Sequence, residues 1–310
     1  MSGRSAGPEH PAVERVLAAL GDPELLDELA ALPGSDLTSL LLALMHRRAE
    51  GIAAPDILRR YRTDRFVAPA PFPLTALRTV EDAFLAAVPA GWDVLTLSPL
   101  VPFGTHAATA GVAQDRIVST VRASEAAADP TNALALEAAL RRRAHRADPE
   151  RLATVQRVVR GQRFDSPDAW AHFSLFALVT AGRDAGGRTF EGETLAEHVA
   201  IHVDGALRAG ADDVRVLLTD LTGGDREQVL GAVERAVRAA PGRVAVERDP
   251  EREEGRGYYD GACFKIRTRF GRSEFEIGDG GFTRWTQELL GDRRERLCIS
   301  ATGLDRIAAR

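Results

Sequence analysis

The sequence predicts an α+β protein: a mainly antiparallel sheet flanked by helices, preceded by a small N-terminal helical domain. Three observations predict it. Strand candidates at 153–159 and 172–180, and again at 262–269 and 274–277, follow one another with no helix between them, which antiparallel pairing allows and parallel pairing does not. Residues 11–60 carry a helical pattern throughout. Between these regions lies Ala68–Pro73, APAPFP, a linker by composition. The domains expected are residues 1–70, with a disordered start over 1–10, and residues 71–310.

In the first domain, Asp22-Pro23 reads as an N-cap followed by proline at the first helical position. Asp36 is expected to open a second helix, closed by Gly51. After the linker, Leu74–Ala87 reads as an amphipathic helix and Trp92–Leu97 as a short strand ending at Ser98-Pro99. Arg116–Val121 is a further strand candidate, and Asp129–Arg146 a strong helix. Thr194–Arg208 reads as a helix opened by a capping box of Thr194 and Glu197. Asp213–Leu221 and Val244–Glu247 read as strands around a helix at Asp225–Ala239. Gly281–Leu290 reads as a helix, Leu297–Ala301 as a strand, and the chain closes in a short helix.

Composition bounds the function. At 310 residues, 45% apolar and 27% charged, the chain is long enough to bury a sizeable core. Two cysteines, Cys263 and Cys298, are too few for a disulfide framework and fit a reducing compartment. With no apolar run long enough to span a bilayer and no basic-then-apolar leader, the expected location is the cytoplasm, with no membrane partner. The net charge of −5 does not favour a polyanion, so nucleic acid is not an expected partner. The run Arg141-Arg142-Arg143 with Arg146 is the local exception; it reads as a solvated last helix turn complementing the helix dipole. His198 and His202 lie four apart on one helix face, but no third ligand is near in sequence, so no metal is expected there.

Four segments in order carry a resemblance. FLAAVPAGWDVLTLSPL, residues 84–100, is a helix and a strand ending at Pro99. TVQRVVRGQRFDSPDAWAHFSLF, residues 154–176, places Arg160, Gln162 and Phe173 around a hairpin. EGRGYYDGACFKI, residues 254–266, holds two of the three tyrosines, Tyr258 and Tyr259, followed by Gly261. GDGGFTRWTQELLG, residues 278–291, is followed by CISATGLDRI, residues 298–307, with Gly280-Gly281 and then Gly303-Leu304-Asp305-Arg306. Together they resemble the catalytic core of class II aminoacyl-tRNA synthetases of the histidyl type, over roughly residues 74–310, with the anticodon-binding domain lacking.

The resemblance implies a class II synthetase-type sheet. It implies a homodimer through the segment around Pro99, and ATP, with or without magnesium, held by Arg160, Phe173, Arg306 and Gly303. A guanidinium suits phosphate oxygens and an aromatic face suits a base. Asp129 and Thr131 would receive a substrate ammonium, although Asp before Pro is equally an N-cap signature. Tyr258 and Tyr259 would wall the amino-acid pocket. Arg160 and Arg256 are the catalytic candidates.

The chain departs from the family where catalysis needs it. The family's catalytic arginine falls on Glu254, with Arg256 two residues later. The pair that reads histidine falls on Leu175 and Val179, and the second arginine of the hairpin near Ala169. Losing a cation aimed at developing negative charge costs a hundredfold or so in rate, and losing both imidazole partners removes selectivity for histidine. The leading expectation is therefore a pseudo-synthetase that binds ATP or a related small ligand, with a regulatory or binding role and a protein partner or carrier. The alternatives are an active ligase that adenylates an amino acid or other carboxylate for a non-tRNA acceptor, and an RNA-binding remnant.

Overall fold

The computed structural model describes residues 10–162, 170–184, 186–238 and 243–310. The expected disorder over 1–10 falls, His10 apart, outside the described residues. The chain divides into two compact units: one formed by residues up to Arg62 with Thr120–Ala123, the other by Thr63–Ser119 with Ser124–Arg310.

The first unit holds α1 (Pro11–Leu20), α2 (Leu25–Ala31), α3 (Gly34–Glu50) and nearly all of α4 (Ala54–Thr63). The His10 ring accepts the Ala12 N–H at the start of α1, and Gly21 ends that helix in the left-handed region. The Asp22 carboxylate receives the Glu24 N–H, so it braces the turn before α2, which starts at Leu25, two residues later than an Asp22 cap would place it. Helix α3 starts at Gly34, two residues before Asp36, so Asp36 lies within the first turn and does not open the helix.

In the second unit, α5 (Leu74–Leu85) leads to a sheet of eight strands ordered β1-β4-β5-β10-β9-β8-β6-β7. These are β1 (Asp93–Val94), β4 (Glu150–Val159), β5 (His172–Arg183), β6 (Asp213–Asp220), β7 (Val244–Arg248), β8 (Ala262–Phe270), β9 (Ser273–Thr283) and β10 (Glu295–Gly303). Only the edges, β1 with β4 and β6 with β7, pair in parallel; the five inner pairs are antiparallel. A separate small ladder joins β2 (Leu100–Pro102) to β3 (Ser124–Ala126), with α6 (Thr105–Ala110) between them in sequence.

Helices cover both faces. Helices α5, α8 (Thr189–Arg208) and α9 (Glu227–Arg238) build one core with Phe176, Leu178, Val216 and Phe264. Helices α7 (Pro130–Ala144) and α10 (Trp285–Leu290) build the other with Ala177, Val179, Leu297 and Ile299; α11 (Asp305–Ala308) ends the chain. Because both faces of β5 are buried, Leu175–Ala181 is a near-continuous apolar run rather than an alternating one. Gly205 lets α8 meet α5: a Cβ there would lie 2.5 Å from the Phe84 ring.

Several expectations are corrected. The Trp92–Leu97 strand is reduced to Asp93–Val94, since Trp92 turns inward to hydrogen-bond Glu197 (3.1 Å). Arg116–Val121 is not a strand: Gln114–Arg116 forms a 3-10 turn, and only Ser119 bridges to Glu125. Thr194 and Glu197 are not a capping box, because α8 already begins at Thr189, after Arg188 in the left-handed region. Thr194 is buried inside that helix, and Glu197 binds Trp92 and Arg151 (3.0 Å). Gly280 and Gly281 belong to β9 rather than to a turn and helix start. They pair with Ser300 and Ile299, where a Cβ on Gly280 would come within 2.4 Å of the Ser300 Cβ. Arg142 is not solvated; its guanidinium is buried against Glu295 (3.1 Å) and the carbonyls of Arg146 and Asp148.

Candidate functional site

On the α7 side of the sheet, the end of the β4–β5 hairpin meets the ends of β9 and β10. Asp129 supplies the N-cap of α7: its Oδ1 accepts the Thr131 N–H (2.9 Å) and the Thr131 hydroxyl (2.7 Å). Its Oδ2 faces the Arg160 guanidinium at 3.5 Å. The capping reading of Asp129 therefore holds, and the same carboxylate opens onto a cleft.

Arg160 follows β4. Its Nε donates to the Ala128 carbonyl (2.9 Å), and its guanidinium lies 5.1 Å from the centre of the Phe173 ring. A braced guanidinium over an aromatic face is fixed in direction before any ligand arrives. Arg160, Phe173, Gly303 and Arg306 line one cavity of about 240 Å³, together with Trp170, Leu175, Glu276 and Asp279. Arg306 is held loosely, by a 3.4 Å hydrogen bond to the Glu276 carbonyl. Gly278 lets β9 approach β10 closely at the cavity: a Cβ there would strike the Ala301 carbonyl at 2.1 Å.

An adjoining cavity of about 550 Å³ shares Asp129, Arg160, Asp279 and Ala301 with the first. Thr131, Tyr258, Tyr259, Gln162 and Arg116 also line it. The two tyrosine rings meet edge-on at 4.9 Å, and Tyr258 meets Trp285 likewise at 5.7 Å. Burial pushes both phenols well above their ordinary pKa, so they stay protonated as hydrogen-bond donors. Burial also raises Asp279, against the opposing pull of Arg252 and of its hydrogen bond from Tyr259.

Arg252 was not singled out by the sequence. It is buried, donates to the carbonyls of Glu254 (2.8 Å) and Phe264 (3.0 Å), and pairs with Asp279 at 3.1 Å. Its guanidinium lies 5.6 Å from the Tyr259 ring centre. The one signal for it was an arginine two residues before the expected catalytic position; its partner Asp279 lies far along the chain. Glu254 faces outward to Lys265 (3.1 Å), whose hydrogen bond lowers the Glu254 pKa. Arg256 is not brought to either cavity; it lines a separate depression with Asp220, Gly224 and Arg248. Leu175 lines the first cavity, Val179 is sealed in the core, and Ala169 lies outside the described residues. His198 and His202 are buried on the opposite face of the sheet among Thr180, Ser300 and Thr302.

Solved structures share this arrangement of strands and helices. The fold is that of a class II synthetase core. A protein described as an ATP phosphoribosyltransferase regulatory subunit/histidyl-tRNA synthetase from Bacillus halodurans superposes with a TM-score of 0.55 at 16% identity, over 79% of this chain and 83% of that one. The apo histidyl-tRNA synthetase of S. aureus gives 0.54 at 14% identity, over 76% of this chain and 64% of the other. Histidyl-tRNA synthetase from Nostoc sp. PCC 7120 gives 0.57 at 14%, over 80% and 74%. No family model and no curated protein matches the sequence. At these identities the likeness establishes the fold alone.

The residues present suit a nucleotide. Two guanidiniums, Arg160 and Arg306, and one aromatic face, Phe173, border one cavity. Glu276 and Asp279 are carboxylates of that cavity, and magnesium bound with phosphates needs only one or two. Among the described residues no three His, Cys, Asp or Glu side chains gather to hold a metal by themselves.

Proposed function

We propose that this chain is a pseudo-synthetase: a histidyl-tRNA synthetase-like core that binds ATP or a related small ligand as a dimer, serves a regulatory or binding role, and does not charge tRNA with histidine. The observation carrying this reading is the 252–256 turn. Arg252 is consumed by Asp279 and two carbonyls, Glu254 points to Lys265, and Arg256 lines another depression. No cation from that turn borders the cleft, while Arg160, Phe173 and Arg306 still do.

ATP would rest on Arg160 and Arg306 with its base against Phe173; it would supply a polyanion whose binding draws these side chains together. Asp129 and Thr131 orient a ligand amine, and the buried phenols of Tyr258 and Tyr259 wall its pocket. Leu175 and Val179 offer no polar partner to an imidazole. The regulatory-subunit description of the Bacillus halodurans neighbour gives the regulatory role a precedent on this fold. A protein partner is part of the proposal, as is a cytoplasmic location; among the described residues no helix is long and apolar enough to cross a membrane.

The dimer face of the proposal is the segment around Pro99. Val94, Leu100 and Phe103, to either side of Pro99 in sequence, expose apolar side chains, and Val94 lines a cavity of about 950 Å³ with Leu74, Leu77, Leu85 and Val155. A pyrophosphate-exchange assay with ATP and each standard amino acid tests the reading. Silence across the panel is expected. Exchange with any one of them would replace the pseudo-synthetase by an active ligase.

A further inference from the structure

No residue of α1, α2, α3 or α4 is buried. Their sequence nevertheless carries an apolar stripe. On α3, Leu37, Leu40, Leu41, Leu44 and Met45 recur at i, i+3, i+4, i+7 and i+8, which gathers them on one side of the helix. Helices in water are held mostly by covering such a stripe, yet Leu40 is 48% exposed, Leu44 49% and Met45 47%. A helical unit this small needs more buried apolar area, a cross-link or a partner. Both cysteines lie outside it and are themselves buried.

Charge indicates which partner. Residues 10–36 hold six carboxylates against one arginine, while residues 37–62 hold five arginines against two carboxylates. On α3 itself, the row at spacing four reads Asp36, Leu40, Leu44, Arg48. Its two charges stand about 18 Å apart at 1.5 Å of rise per residue. Turned end for end, that row is complementary to itself, as a twofold contact between identical surfaces requires. With Leu42 at the centre, an antiparallel copy sets leucine on leucine and carboxylate on guanidinium at both ends.

We propose that the first unit pairs with the same unit of a second copy of this chain, α3 antiparallel to α3, Leu40 on the partner's Leu44 and Asp36 on the partner's Arg48. One helix face is a small contact. It acts inside the dimer proposed above, where the covalent tether holds two units at an effective concentration on the order of millimolar. The inference rests on that dimer.

Full-length chains carrying Leu40→Cys and Leu44→Cys, mixed and mildly oxidised, test it, since the native Cys263 and Cys298 are buried. Covalent dimer is expected from the mixture. About tenfold less is expected when both chains also carry Asp36→Arg, because arginine then faces arginine. The yield is expected to return when one chain carries Asp36→Arg and the other Arg48→Asp. A chain that sediments as a dimer but forms no covalent dimer overturns the inference, keeps the dimer and leaves the face to another protein. A yield that the charge changes do not move, or that the swap does not restore, overturns it as well. A chain that sediments as a monomer removes both.

Discussion

Acid should destabilise this protein through two histidines far from its surface. The His202 ring is fully buried, with Nδ1 against the Thr302 hydroxyl (2.8 Å) and Nε2 against the Ser300 hydroxyl (2.8 Å). Ser300 also meets His198 at 2.8 Å, so one hydroxyl joins the two rings. Arg151 lies near, held by Glu197, and further disfavours a charge on His198. Burial lowers the His202 pKa to about 3, and that of His198 well below its ordinary value. The native rings are therefore neutral, while the unfolded chain takes up protons below its ordinary pKa of about 6.5. Stability from this source is complete above about pH 6.5 and is lost progressively as pH falls toward 3. For His202 alone, linkage gives a loss of about 2.5 kcal/mol between about pH 7 and pH 4.5. That is a large share of the 5–15 kcal/mol or so typical of a folded domain. Urea unfolding of the unaltered chain and of His202→Gln at both pH values measures it. The unaltered chain should lose about 2.5 kcal/mol more than the variant. The His202 ring resonances, followed by NMR, should stay flat across the same range. Equal losses in both proteins, or a His202 titration near its ordinary pKa, would refute the reasoning.

Arg142→Ala leaves Glu295, itself buried, with Arg183 as its remaining ion-pair partner, and should cost about 3 kcal/mol in chemical denaturation. Gly280→Ala places a Cβ against Ser300 and the Ile299 carbonyl, both packed; about 1–3 kcal/mol should be lost, with β10 shifting at the cleft. Leu74→Glu with Val94→Glu, both on exposed sites, should convert dimer to monomer in analytical ultracentrifugation and make the urea midpoint independent of protein concentration. A monomeric unaltered chain would remove that interface.

The elements legible in the sequence were those whose pattern is local. The α7 helix announced itself by Asp129-Pro130, and the β4–β5 hairpin by two apolar runs around a polar loop. What failed depended on distant neighbours. Thr194 and Glu197 have capping-box spacing, but Trp92 and Arg151 claim the glutamate and the helix starts a turn and more earlier. The glycine pair at 280–281 reads as a turn, yet glycine is needed there because β8 and β10 crowd the strand from both sides. Arg142 and Arg252 look like surface charge because Glu295 and Asp279 are far along the chain. At the site, Arg160, Phe173, Gly303 and Arg306 were named from the ordered segments and share one cavity. Arg116 and Arg252 were not, since neither belongs to a recognisable segment, and Arg256 was named but lies elsewhere.

In the proposed function, two guanidiniums, Arg160 and Arg306, and the Phe173 ring form one nucleotide cradle. Calorimetric titration of ATP into the unaltered chain and into Arg306→Glu tests it most directly. Saturable binding to the first, abolished in the second with its thermal unfolding unchanged, is the predicted result. Identical isotherms for the two proteins, or no heat of binding in either, would contradict it.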